Sequence, residues 1–380
     1  MIDSHELLEL QKVDELLHTL SLQLALHRFM NPINVEQERK SFLAKKKSNP
    51  KFIYPDLNRA LLEKIEKTAQ NVKIPGEGIL SDLLKRKATH LVNSVAALQS
   101  RDSSEFFVRL GASVPYPVQA EKERAERILR LWKNEPKKKE KSKAFLNALE
   151  MKARVERTLT DMGVTGVAVE MRSVHSGRMS VVDGRTILIK STALFSEKTV
   201  PATIAHEIGV HVVRAFNGEA QPLRMFQNST PGYLATEEGL GAIASRLFRQ
   251  SPYFSTVALS LVTVDFAQTH SFRETFDMLR QQWGIGEKKA WRYVFRAKRG
   301  MMQTAKPGAN PRDAQYLRGV FEIEQYLEQG GSLSDLFVGK VGLSDVAPLL
   351  KLSEIQKPKV IPAFFVGQEQ KVLQLIKENN

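Results

Sequence analysis

The segment at residues 200–216 most constrains what this chain can fold into and do, because its interior holds His206, Glu207 and His211. Its apolar residues recur at the intervals of one helix face, at Ile204, Ile208, Val212 and Ala215. Two imidazoles and a carboxylate on a short helix are the side chains with which zinc peptidases bind their metal and activate water. The segment therefore indicates a metal-binding helix.

The spacing of the two histidines sets a geometric problem. They are five positions apart, whereas the His-Glu-x-x-His pattern of zinc peptidases separates them by four. At about 100° per residue, five steps turn the second imidazole roughly 140° from the first, and four steps only about 40°. One π-bulge would absorb the extra residue, and Gly209 is a suitable place for it. The other interpretation is one core histidine and one histidine in solvent, and the spacing alone favours neither.

Composition limits the other classes of protein. The chain has 380 residues, 42% hydrophobic and 26% charged, and this length favours two or more folded units. No stretch approaches the roughly 18 apolar residues of a membrane span, and residues 1–6 lack the features of a secretory signal, so we expect a cytoplasmic protein with no membrane partner. There is no cysteine, so any metal site must use His, Asp and Glu.

The formal net charge of +14 raises the question of an anionic partner. The dense basic runs are Lys45–Lys47 and Lys137–Lys139 with Lys141 and Lys143, each beside a proline. No zinc-finger spacing or ribonucleoprotein motif accompanies them, so a solvated surface is favoured over an anionic partner. We expect no specific nucleic acid, although a basic helical protein that binds anions without metal stays an alternative.

The hydrophobic pattern predicts an α+β protein that is mainly α-helical. Residues 1–160 form a helical region, 161–340 a catalytic core and 341–380 a helical tail packed on that core. Within the core, Gly166–Arg172 predicts a strand and Met179–Ile189 a hairpin that turns at Asp183–Gly184. His175 falls between them and is a candidate substrate contact, although a histidine in such a place is more often a simple loop residue. Zinc peptidases commonly bind a substrate backbone along an edge strand beside the metal, so strands directly before the histidine helix favour that function.

A second helix offers carboxylates. Thr236 is a good cap for a helix that begins at Glu237 and Glu238. Two glutamates in a first turn are favoured by the helix dipole alone. The functional interpretation is that one of them completes a site of two histidines and one glutamate. This neighbouring carboxylate makes an accidental pair of histidines much less plausible.

Three motifs together carry a family resemblance: His206–His211 in the pattern His-Glu-x-x-x-His, the stretch Thr236–Gly241, and Tyr316–Gly319. They resemble the tyrosine carboxypeptidase-like zinc metallopeptidases, a family with microtubule-associated eukaryotic members and bacterial members that carry a Gln-Glu-Gly-Leu-Ala motif. Weaker similarity upstream extends the resemblance over most of residues 25–340. The chain departs from the bacterial signature at Glu237, where glutamine is usual, and at Gly241, where alanine is usual.

The resemblance implies that His206, His211 and Glu238 bind one zinc ion and that Glu207 is the catalytic glutamate. Glu237 remains the alternative third ligand. The implied activity is removal of a C-terminal residue, which could be tyrosine or another aromatic residue, from a peptide or protein. A positive surface would favour an acidic tail.

Further roles follow from that chemistry. Tyr316 is a candidate to stabilise the oxyanion, although a helical tyrosine is more often a packing residue. A guanidinium suits the terminal carboxylate of the substrate, and Arg214, Arg299 and Arg318 are the candidates. A non-catalytic regulator with the same fold is a further alternative, but retention of Glu207 argues against it.

Overall fold

The computed structural model describes residues 2–46, 48–101, 103, 105–136, 144–173, 177–249, 251 and 253–379. The basic run at 137–143, Lys47 of the first run, and His175 lie outside the described residues. The predicted α+β class, mainly α-helical with small sheets, is confirmed.

The helices run through the whole described chain. They are α1 (Ser4–Leu24), α2 (Leu26–Met30), α3 (Val35–Leu43), α4 (Arg59–Asn71), α5 (Ile79–Gln99), α6 (Glu105–Ser113), α7 (Gln119–Asn134), α8 (Ala148–Asp161), α9 (Val200–His206), α10 (Val213–Gly218), α11 (Met225–Asn228), α12 (Tyr233–Leu247), α13 (Ser255–Ala267), α14 (Phe272–Gln281), α15 (Glu287–Ala297), α16 (Gln315–Glu328), α17 (Leu343–Leu349) and α18 (Glu369–Lys377). A π-helical segment, Glu207–Val212, joins α9 to α10, and 3-10 turns occur at Pro311–Ala314 and Leu333–Phe337.

The strands form two small sheets. They are β1 (Phe145–Leu146), β2 (Ala168–Arg172), β3 (Met179–Val182), β4 (Thr186–Lys190) and β5 (Phe195–Ser196). β1 and β5 pair antiparallel, and the larger sheet has the order β2-β4-β3, in which β4 is parallel to β2 and antiparallel to β3. The predicted hairpin is confirmed, because β3 and β4 turn at Asp183 and Gly184, whose φ angles of 53° and 65° suit a type I′ turn.

The chain divides into two compact units. Unit 1 contains residues 1–11, 135–254 and 319–380, and unit 2 contains residues 12–134 and 255–318. Both are discontinuous in sequence, and residues 161–340 contribute to each of them.

In unit 1, α12 packs against α9 and the π-helical segment, and β3 packs against the same segment. Of the predicted apolar face, Ile208, Val212 and Ala215 are fully buried and Ile204 is half-buried. Leu240 and Ile243 of α12 are also fully buried. The C-terminal residues also join this core, because the Asn217 amide donates to the carbonyl of Val360 at 2.7 Å.

In unit 2, α13 packs against α7 and α15, and α4 packs against α5. An aromatic cluster holds α14 and α15 together, with the rings of Phe272 and Trp291 4.7 Å apart and Phe42 5.0 Å from Phe272. Within the described ranges, no helix combines the length and the hydrophobicity that a membrane crossing needs.

Candidate metal centre

The histidine helix changes its winding where the spacing predicts it. α9 ends at His206, the next six residues are π-helical, and α10 resumes at Val213. The predicted irregularity near Gly209 is therefore confirmed. A Cβ at Gly209 would lie 2.6 Å from Cζ of Phe364, so the glycine lets that ring pack against the wider turn. The wider turn absorbs the fifth residue between the histidines.

As a result, both imidazoles face one point. Their ring centroids lie 4.7 Å apart, and one ligand atom each from His206, His211 and Glu238 all lie within 4.8 Å of one another. The Oε2 atom of Glu238 is 3.7 Å from Nε2 of His206 and 4.0 Å from Nε2 of His211. The structure thus brings together the three residues that the family resemblance implies as ligands.

The carboxylate comes from the second turn of α12. That helix begins at Tyr233, after Gly232 with a φ of 85°, so the prediction that Thr236 caps it was wrong. Thr236 is buried inside the helix, and its hydroxyl accepts a hydrogen bond from the backbone N–H of Leu343 at 2.8 Å. The helix starts earlier because Gly232 supplies the left-handed residue that turns the chain into it.

Two glycines let α12 approach its neighbours closely. A Cβ at Gly239 would lie 2.4 Å from the backbone carbon of Gly319 on α16. A Cβ at Gly241 would lie 2.5 Å from Cε1 of His206. Gly241, where the bacterial signature has alanine, therefore makes room for the first imidazole.

The other nitrogen of each imidazole also has a partner. Nδ1 of His206 lies 3.3 Å from Oγ of Ser245 on α12, and Nδ1 of His211 lies 2.8 Å from Oε1 of Glu237. Glu237 therefore contacts the Nδ1 side of His211. Glu238 is the glutamate whose carboxylate lies near both Nε2 atoms.

Glu237 is 2% exposed and surrounded by cations. Its carboxylate accepts hydrogen bonds from Arg214 and, at 3.1 Å, from Nζ of Lys340. Burial raises the pKa of Glu237, but Lys340, Arg214 and His211 outweigh it and hold that pKa well below its usual range. Glu237 is therefore a carboxylate at neutral pH.

Glu207, the predicted base, is the first residue of the π-helical segment and is half-buried. Burial lowers the pKa of the His211 imidazole, but Glu237, Glu238 and Glu207 together outweigh it and raise that pKa. No other described residue forms a hydrogen bond or ion pair with the carboxylate of Glu207.

The burial of Arg214 argues against its predicted role in binding a substrate carboxylate. Its side chain is completely buried, Nε donates to the carbonyl of Leu336 at 2.8 Å, and Nη2 donates to that of Val341 at 2.7 Å. With Nη1 bonded to Glu237, each nitrogen has a protein acceptor. We therefore withdraw Arg214 as a substrate-binding residue.

The other predicted residues lie in unit 2. Arg318 binds Glu121 through Nε at 2.6 Å and Nη2 at 2.8 Å, and also donates to two backbone carbonyls. Tyr316 is half-buried, and its hydroxyl accepts from Nη2 of Arg296 at 3.2 Å. Arg299 is half-buried with its Nε unpartnered, and its Nη1 is 3.5 Å from Oδ1 of Asn31. These contacts leave the predicted roles of Tyr316, Arg299 and Arg318 untested.

Sequence reasoning missed two residues at the site. Ser245 lies seven positions after Glu238 on α12, a helical interval that places both on one face, so this signal was present in the sequence. Lys340 lies in a loop far from the histidines in sequence, and nothing in the sequence indicates its contact with Glu237.

Comparison with known proteins agrees with the resemblance. The profile of the family described as microtubule-associated tyrosine carboxypeptidase matches residues 40–378. A microtubule-associated tyrosine carboxypeptidase 1 of Mus musculus is 26% identical over 354 residues, covering 90% of this chain and 65% of the mouse protein. The same-named protein of Rattus norvegicus is 30% identical over 213 residues, covering 54% of this chain and 45% of its own length.

A third relative is the putative tyrosine carboxypeptidase MATCAP2 of Homo sapiens, 32% identical over 208 residues that cover 53% of this chain and 40% of the human protein. The matched parts of this chain thus span less than two thirds of the length of each of these relatives. The family profile, by contrast, extends over nearly all of this chain and includes every residue of the candidate centre. The chain belongs to the microtubule-associated tyrosine carboxypeptidase family.

Proposed function

We propose that this chain is a zinc-dependent carboxypeptidase that removes one residue from the C-terminus of a peptide or protein. The single observation that carries the proposal is the convergence of His206, His211 and Glu238, which a regular helix would prevent. Two neutral imidazoles and one carboxylate are the ligand set of catalytic zinc sites, which keep a fourth position for water or substrate.

The dimensions of the site fit such an ion. Tetrahedral zinc with bonds of about 2.0–2.2 Å places its ligand atoms roughly 3.3–3.6 Å apart. The carboxylate oxygen of Glu238 is 3.7 Å and 4.0 Å from the two Nε2 atoms, so small side-chain rotations would bring the ligands into position. The three side chains are between 12% and 23% exposed, which leaves an open side for a substrate.

The residues of the chain then have distinct tasks. Bound zinc would supply a Lewis acid that polarises the scissile carbonyl and lowers the pKa of water. Glu207, whose carboxylate has no hydrogen-bond or ion-pair partner among the described residues, would accept the proton of the attacking water and deliver it to the leaving amine. Strand β3 is an edge strand that packs against the π-helical segment, so it would align the substrate backbone beside this base.

The identity of the removed residue rests on the family. The relatives are named tyrosine carboxypeptidases, which supports an aromatic terminal residue. The net charge of +14 supports an acidic substrate tail. The roles predicted from the sequence for Arg299, Arg318 and Tyr316 stay predictions.

Two measurements test the proposal. Elemental analysis should find about one zinc per chain, and none in His206→Ala. A mass-spectrometric profile of products from a peptide library should show loss of single C-terminal residues, and Glu207→Gln should keep zinc but abolish this cleavage. A wild-type protein without stoichiometric zinc would overturn the metal site. Zinc binding without cleavage would favour the non-catalytic alternative.

A further inference from the structure

Glu237 determines which nitrogen of His211 carries the proton. Its Oε1 lies 2.8 Å from Nδ1, and both carboxylate oxygens also face groups that can only donate, Arg214 at Oε2 and Lys340 at Oε1, so Oε1 accepts the hydrogen bond from Nδ1. The proton of a neutral His211 must then be on Nδ1. Its Nε2, which faces Glu238, is left with the lone pair that a metal requires.

His206 has no comparable constraint. Its Nδ1 lies 3.3 Å from the hydroxyl of Ser245, which can donate or accept and which also lies 3.3 Å from the carbonyl of Ala202. A hydroxyl therefore fixes the tautomer of His206 only weakly. Glu237 is the stronger of the two orienting groups and acts on His211 alone.

The two cations that contact Glu237, Arg214 and Lys340, are both held in place by contacts with residues 336–341 or within them. Arg214 lies two residues after the π-helical segment and donates to the carbonyls of Leu336 and Val341. Lys340 lies in the same loop, where its backbone N–H donates to the carbonyl of Phe226 at 2.7 Å. The loop thus delivers Nζ of Lys340 to the carboxylate at 3.1 Å. Burying an ionised glutamate requires such compensation.

We propose that Glu237 is a positioning residue that presents Nε2 of His211 to the metal, and that Lys340 is present because this position is a glutamate. The proposal rests on the proposed function. A glutamine at this position could also accept from Nδ1 through its amide oxygen. It would have no charge to balance, so Lys340 would then be a buried cation without its partner.

Variants at Glu237 separate the acceptor from the charge. Glu237→Leu removes the acceptor, and the zinc dissociation constant from chelator competition should rise by about 10- to 100-fold. Glu237→Gln keeps an acceptor, so its zinc dissociation constant should rise by less than about tenfold. A Glu237→Leu protein that keeps wild-type zinc affinity would overturn the positioning role.

A neighbouring residue supplies the control for simple loss of stability. Thr236→Val removes a buried hydrogen bond to Leu343 on the same turn of the same helix, without touching an imidazole. It should lower the melting temperature of the metal-free protein but leave the zinc dissociation constant unchanged. If it weakens zinc as much as Glu237→Leu does, the effect is structural and the positioning role is wrong.

The role of Lys340 is tested in the metal-free protein. Lys340→Met should lower the melting temperature in the wild-type background, because Glu237 loses a counter-charge. In the Glu237→Gln background the same change should have little effect or raise it. Equal effects in both backgrounds would overturn the pairing.

The zinc measurement on the wild type distinguishes failure of the proposed function from failure of the positioning role. If the wild type binds no zinc, the proposed function fails and the positioning role fails with it. If the wild type binds zinc and Glu237→Leu binds it equally well, only the positioning role fails. Weaker zinc binding by Glu237→Leu, with Glu237→Gln and Thr236→Val close to the wild type, supports both.

Discussion

The imidazole rings of His206 and His211 have centroids 4.7 Å apart, although the two residues are five positions apart on one helix. A regular helix would turn them roughly 140° away from each other. The π-helical segment between them removes this conflict, and the ligand geometry of the candidate centre depends on it. Changes that disturb the segment should therefore affect stability and metal binding together.

Gly209→Ala tests the packing of the π-helical segment. The added Cβ would lie 2.6 Å from Cζ of Phe364, a ring that packs on Phe248 and Phe365. We expect the free energy of unfolding to fall by about 1–3 kcal/mol in denaturant titrations. Phe364→Leu should relieve part of this loss in the double variant. Gly286→Ala, whose Cβ would meet nothing within 4 Å, is the control.

Gly241→Ala tests how closely the imidazole of His206 packs against α12. The added Cβ would lie 2.5 Å from Cε1 of His206, so the ring must move away from α12. We expect zinc affinity to fall by about tenfold, as for loss of an orienting partner, with a smaller change in melting temperature. Chelator competition measures the affinity. Unchanged affinity would mean that His206 binds zinc equally well after its ring has shifted, and that Gly241 is not needed for its position.

Metal removal should lower thermal stability. A ligand that binds only the folded state stabilises it by roughly 4 kcal/mol when its free concentration is a thousand times the dissociation constant. A chelator should therefore lower the melting temperature of the wild type, as scanning calorimetry would show. His206→Ala, which lacks a ligand, should melt at the same temperature with and without chelator. Equal chelator effects on both proteins would contradict the site.

Arg318→Leu distinguishes a structural ion pair from a substrate contact. Arg318 and Glu121 are 11% and 14% exposed and bonded through two nitrogens, so removing the arginine leaves a largely buried carboxylate. We expect a loss of about 3 kcal/mol in the free energy of unfolding. Adding Glu121→Leu should recover much of it. A higher KM with unchanged stability would instead support the predicted role in binding a substrate carboxylate.

The irregular helix could be predicted because helical periodicity alone excludes alignment of His206 and His211 at a spacing of five. The alternating pattern of β3 and β4 and the turn at Asp183–Gly184 could also be predicted from the sequence, since they depend on neighbouring residues. The sequence could not decide whether Glu237 or Glu238 is the third ligand. Adjacent residues point about 100° apart, so the choice depends on the packing of α12 against its neighbours.

The misplaced start of α12 and the buried arginine have a common cause. Thr236 resembles a cap by residue type, but its hydroxyl is bonded to Leu343 from a distant segment. Arg214 resembles a substrate-binding residue, but the 336–341 loop encloses it. Contacts across more than a hundred residues decide both cases, and a pattern of local periodicity carries no information about them.

The π-helical segment also keeps the two halves of its helix in register. Deleting one residue between the histidines would restore the shorter spacing of four on an ordinary α-helix. Because the wider turn already absorbs that residue, the deletion would leave the following residues close to their present orientation. Arg214 would keep the carbonyls of Leu336 and Val341, and Asn217 that of Phe337, within reach. The two kinds of metal-binding helix therefore differ by a single codon, and the same buried contacts can hold the second half of either.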